Sequence, residues 1–162
     1  MTDVTMRPDT LIADTGRGGP GRQEEEVARL AELHTRLIDT VEGHDKIAEK
    51  AEPEFVAIAE EFRDLHRDQA GRVAAMLAGL GHDPSRGGSV FGTVNRAVVE
   101  MRSWFDDIGH NVLDALRQGE KHVHDAYEEA IAASPSLSRR AALETMRQDL
   151  VQLVERHAPK QG

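Results

Sequence analysis

From Val27 to Ala48 the chain repeats apolar or seam-type residues at alternating steps of three and four: Val27, Leu30, His34, Leu37, Val41, His44 and Ala48. That spacing keeps them on one face of an α-helix, whereas a strand would need alternation at every second residue. Three more stripes follow the same rule. One runs Phe55, Ile58, Phe62, His66, Gln69, Val73, Met76, Leu80. The next runs Val112, Leu116, Glu120, Val123, Tyr127, Ile131, and the last Leu143, Met146, Leu150, Leu153, His157. A helix with one apolar face must bury it against another, so four such stripes predict an all-α bundle of four helices. No window alternates like a strand.

The breaks between stripes set the connectivity. Pro53 is tolerated only at a helix start and so separates the first two helices. Helix 2 stops at Gly81, and Pro84, Gly87 and Gly88 mark a loop up to Ser89. Ser134-Pro135-Ser136 reads as a turn and cap, and Pro159 ends the last helix. Two links, near 52 and 135, are short and require antiparallel neighbours. The link from 81 to 107 is long and carries its own apolar pattern, Val90, Phe91, Val94, Val98, Met101 and Phe105. A helix of about 16 residues spans roughly 24 Å, enough to return along much of a bundle. The expected fold is therefore a ferritin-like four-helix bundle, two antiparallel hairpins joined by a long crossover containing a short extra helix. Residues 1–22, ending in Gly16-Arg17-Gly18-Gly19-Pro20-Gly21, lack a sustained period and are expected to be a disordered tail, with the bundle over 23–158. Glu24, Glu25 and Glu26 suit a first helical turn, where negative charge meets the helix dipole.

One step occurs twice, Gly43-His44 and Gly119-Glu120, 76 residues apart, each followed three residues on by a β-branched side chain, Ile47 or Val123. The layout is that of two related hairpins. Bundles of this kind hold metal through carboxylates and histidines projecting inward from several helices.

Composition narrows the chemistry. A formal charge of −9 argues against duplex nucleic acid or an anionic membrane as partner. With no cysteine, thiolate-held zinc and iron–sulfur sites are excluded. There is neither an apolar run of membrane-spanning length nor a signal-peptide core, so a soluble cytoplasmic protein is expected.

Polar residues on the stripes are the candidate ligands. Counting residues from each turn places His34 level with Gln69, and Glu120 level with Asp149. If helix 3 runs parallel to helix 2, then His34, His66, Gln69 and Glu120, with Asp149 beside them, form a mid-bundle polar layer. His44 lies on the order of 15 Å from His34 along the axis and belongs to a different layer. Imidazole and carboxylate together suit iron, manganese or zinc. A seam histidine is more often a core residue, hydrogen-bonded to a neighbour or reaching solvent at the edge, than a ligand. The Glu-x-x-His signature of two-iron carboxylate centres is absent, its nearest approach being Asp107-x-x-His110, so a complete ferroxidase centre is not expected. His124-x-x-x-Glu128 resembles one element of hemerythrin, without the companion histidine pairs.

Several segments carry a family resemblance: Leu37-Ile38-Asp39-Thr40, Gly43-His44, Pro53-Glu54-Phe55, Gly88-Ser89-Val90-Phe91-Gly92, Gly119-Glu120 and Ala126-Tyr127-Glu128-Glu129-Ala130. Over about residues 30–158 the chain resembles an uncharacterised bacterial ferritin-like four-helix-bundle family, a domain of unknown function. The resemblance implies the ferritin-like fold, a cytoplasmic location and no established activity. In that family both Gly steps are typically followed by Glu, so His44 departs from the pattern and Glu120 follows it.

The first expectation is a non-catalytic structural or interaction protein, self-associating through Phe91, Trp104 and Phe105, which make up half of the chain's aromatic residues. The alternative is a metal-binding bundle using His34, His66, Gln69 and Glu120 for storage or redox chemistry.

Overall fold

The computed structural model describes residues 20–84 and 112–158, and these form four α-helices, with short turns linking the first two and the last two: α1 Pro20–Lys50, α2 Pro53–Gly79, α3 Val112–Ala133 and α4 Leu137–Arg156. The expected tail and the crossover helix, with Phe91, Trp104 and Phe105, lie outside the described residues. Among the described residues no helix is long and apolar enough to cross a membrane.

Local chemistry explains each boundary. α1 begins at Pro20, earlier than residue 23, because the first turn has no use for the amide hydrogen that proline lacks. Pro53 opens α2 behind an extended Glu52, and no side chain caps that end. At its other end Gly81 adopts φ +78°, the left-handed backbone that glycine reaches without penalty. His82 N–H then donates to Leu77 O (2.9 Å) and Gly81 N–H to Ala78 O (3.0 Å), the paired bonds of a Schellman ending. Ser136 caps α4, its hydroxyl accepting from Arg139 N–H at 3.3 Å.

α1 and α2 form one antiparallel hairpin, α3 and α4 the other. Contacts between the hairpins fix their relation. Arg29 meets Glu129 and His44 meets Glu120, so α1 and α3 are antiparallel. His66 meets Glu120 and Gln69 meets Tyr127, so α2 and α3 run parallel, and α3 starts at the end of the bundle where α2 starts. α1 packs on α2 and α3, and α4 on α3 and, less extensively, on α2. α2 and α3 therefore face each other across the diagonal, and any bond between them crosses the core.

The expected stripes match the burial closely on α4 and, from Leu116 to Tyr127, on α3; on α2 Phe62, His66, Gln69 and Val73 are buried as expected and Leu77 is buried in place of Met76. On α4 Leu143, Met146, Leu150 and Leu153 are buried and His157 sits at the edge. On α1 the buried face is rotated by about one residue. Leu33 is fully enclosed and His34 only half-buried, because α1 must face two neighbours and the line between them passes through Leu30, Leu33 and Leu37. Glu26 is also corrected. With α1 starting at Pro20 it falls beyond the first turn, and it is 1% exposed rather than a solvated dipole partner. Its carboxylate accepts from Arg139 Nε (2.7 Å), Arg139 Nη2 (3.1 Å) and Ser134 Oγ (2.6 Å), so it ties α1 to the turn between α3 and α4.

Glu120 and Tyr127 on α3 and Ser134 just beyond its end each carry a buried polar contact and stand one heptad apart in sequence. The core is thus crossed by three polar layers about 10 Å apart, separated by leucine, valine and methionine.

Candidate metal centre

The layer nearest the first turn gathers ligand-type groups from three helices. Glu120 comes from α3, His44 from α1 and His66 from α2. His44 Nε2 lies 2.9 Å from Glu120 Oε1, and His66 Nε2 lies 2.8 Å from Oε2, so each imidazole takes one carboxylate oxygen. The two rings stack, with centroids 5.7 Å apart and planes within 12°. Phe62 stacks on His44 from 5.6 Å. His44 and Glu120 are 3% exposed and His66 is fully buried. One ligand atom from each of the three lies within 4.8 Å of the others.

Burial by itself would raise the Glu120 carboxyl. The charge of His66, the hydrogen bonds from His44 and His66, and the charge of His44 outweigh it and hold the group down at about 2. Glu120 is therefore an anion that only accepts, and both Nε2 atoms donate to it. The Nδ1 atoms of both rings are buried with no hydrogen-bond partner among the described residues, so among these the Glu120 carboxylate supplies the hydrogen bonds that orient the imidazoles.

Two neutral nitrogens and one carboxylate are a donor set for iron, manganese or zinc. A cation in this layer would compete with the Nε2 hydrogens that the imidazoles now donate to Glu120. α4 offers no ligand here. Gln69 bonds to Met146 O and Glu61 to Arg156, a register that puts Leu150 and Leu153 of α4 at the height of His66. A centre with three protein ligands and one carboxylate suits one ion better than a carboxylate-bridged pair.

The sequence-predicted residues divide accordingly. His66 and Glu120 are brought together as expected. His44, assigned by residue counting to another layer, is instead a direct partner of Glu120. His34 is half-buried on α1 away from this layer, and desolvation lowers its pKa. Asp149 is exposed. Gln69 belongs to the next layer, where Tyr127 Oη donates to its Oε1 (2.8 Å) and its Nε2 donates to Met146 O (2.8 Å). Burial also raises the Tyr127 hydroxyl pKa, keeping it a donor.

The error in depth has a physical cause. Side chains on a helix lean toward its N-terminus. In the α1–α2 hairpin, His44 leans away from the turn and His66 toward it, so they meet although their backbones differ in height. His34 and Gln69, level in backbone height, lean apart. The pointer to His44 was the repeated Gly step. The two equivalent positions, 76 residues apart, face each other across the α1–α3 contact. The hairpins are not strict copies, since α1 ends about two turns beyond Gly43 and α3 about four turns beyond Gly119.

The Gln69–Tyr127 layer is complete without any ion. Tyr127→Phe should cost about 1–3 kcal/mol in chemical denaturation, because Gln69 Oε1 loses its donor in a dry core. It should leave metal content unchanged.

Residues 25–133 match the family described as Domain of unknown function (DUF2383). The chain belongs to this family. The matched span holds all three residues of the His44–His66–Glu120 layer. No curated protein and no solved structure matches the chain.

Proposed function

We propose that this DUF2383 protein binds a single divalent transition-metal ion between His44, His66 and Glu120, in a bundle of ferritin-like type. One observation carries the reading: three ligating side chains from three helices converge with their donor atoms within 4.8 Å in a buried layer. The parallel α2 and α3 and the inward-facing histidine–carboxylate layer support the ferritin-like assignment. Iron, manganese and zinc all accept this donor set, and iron or manganese would supply redox chemistry there. Three protein ligands leave coordination positions for an outside molecule.

Protein purified without chelator should carry close to one ion per chain by elemental analysis. His44→Ala and Glu120→Gln should lose it, whereas His34→Ala should keep it. Added to stripped protein at about 100 times its Kd, the right metal should stabilise the fold by about 2.7 kcal/mol. A stripped wild type that gains no stability with iron, manganese or zinc, or metal content indifferent to His44 and Glu120, would overturn the assignment. In that case the layer acts as a register-setting polar contact in a structural protein.

A further inference from the structure

The three groups of the proposed centre are enclosed, so an ion bound there needs a route through the protein wall. Phe62 forms part of that wall. Its ring stacks on His44 and lies 6.5 Å from His66, and the same ring meets His157 at 5.9 Å, tilted by 48°. His157 caps the C-terminal end of α4, with its side chain 21% exposed, and its Nε2 is 2.8 Å from Glu61 Oε2. Glu61 is more open, at 40%. A single aromatic ring thus separates the buried histidine–carboxylate cluster from a solvent-reaching histidine–carboxylate pair with the same donor chemistry.

We infer that Glu61 and His157 form an outer site for a divalent transition cation, which loads the buried layer by passing Phe62. This rests on the buried layer being a metal centre. The outer pair offers one imidazole nitrogen and one carboxylate, enough to capture a cation and too few to retain it. Arg156 pairs with Glu61 Oε1, so the carboxylate has a resident positive partner that an arriving ion must displace. Phe62 is 3% exposed and makes no ligand bond, so it obstructs the route without holding the ion. A station on the route alters how fast the ion arrives and leaves. Equilibrium affinity stays a property of His44, His66 and Glu120.

Stopped-flow absorbance with Co2+ and the chelator-stripped full-length chain tests this. The double variant Glu61→Gln/His157→Gln should slow association by about tenfold, the low end of what local charge does to a cation's on-rate. Arg156→Gln should speed it, with the equilibrium Kd unchanged in both surface variants, and Phe62→Leu should speed both uptake and release. The two surface variants carry the test even where Phe62→Leu disturbs folding. Wild-type rates in the Glu61/His157 variant would overturn the loading site while leaving the buried centre standing. A wild type that takes up no Co2+ would overturn both.

Discussion

Glu120→Gln is expected to lower the stability of the metal-free protein at neutral pH by about 3 kcal/mol, and to reduce its acid sensitivity between pH 4.5 and about 2. The Glu120 carboxyl ionises at about 2 in the folded chain against an ordinary 4.5. Each unit of that depression corresponds to about 1.4 kcal/mol favouring the folded, ionised form. The sign follows from the direction. A depressed carboxylate contributes fully above its unfolded value of 4.5, and the contribution is lost as pH falls from there toward about 2. Thermal melts in the presence of chelator should therefore separate wild type and Glu120→Gln by on the order of 10 °C at pH 6. The gap should close progressively below pH 4.5. Superimposable pH profiles would show that the carboxylate is not held by the two imidazoles, and the layer as described would be wrong. The size agrees with the general cost of breaking a buried ion pair, about 3–5 kcal/mol.

Arg139→Ala should be the other strongly destabilising change, at about 3 kcal/mol. Among the described residues it leaves the Glu26 carboxylate, 1% exposed, with the Ser134 hydroxyl as its remaining hydrogen-bond partner. The lower end of the range is appropriate because the Arg139 side chain is itself 28% exposed and already partly solvated. Arg139→Lys should recover little, since an ammonium cannot reproduce the two-pronged contact of Nε and Nη2. The double replacement Glu26→Leu/Arg139→Leu should be far milder than the single change, because no charge is then stranded. Urea denaturation of wild type, Glu26→Leu, Arg139→Leu and the double variant closes a double-mutant cycle. A coupling near zero would mean that the clamp between α1 and the α3–α4 turn contributes no specific stability.

These two contacts sit in different layers, two heptads apart, and serve different ends. The Glu26–Arg139–Ser134 clamp is satisfied by the protein's own groups and fixes one end of the bundle. The His44–His66–Glu120 layer leaves two imidazole nitrogens without partners among the described residues, and it is the layer with the donor set of a metal site. The Gln69–Tyr127 contact between them closes on a backbone carbonyl of α4. Polar layers at heptad spacing lock the relative heights of the four helices, because a slip by one turn would bury every one of these groups unpaired.

The sequence by itself determined the helices and their ends. The 3-4 stripes, Pro53, Gly81 and the Ser134–Ser136 turn act within a few residues of where they stand, so local chemistry suffices to read them. It also determined the class of bundle, since a short link forces antiparallel neighbours and a long one permits the parallel α2 and α3. Which polar residues share a layer was decided only by the tertiary structure. His44 meets Glu120, and His34 misses Gln69, because of where side chains lean after the helices have packed. Such shifts of several ångströms come from helix direction, rotation and crossing, and no count of residues from a turn contains them. Leu33 turned inward and Glu26 became a buried anion for the same reason: the orientation of α1 is set by two neighbours together, and neither is encoded in the residues of α1 alone.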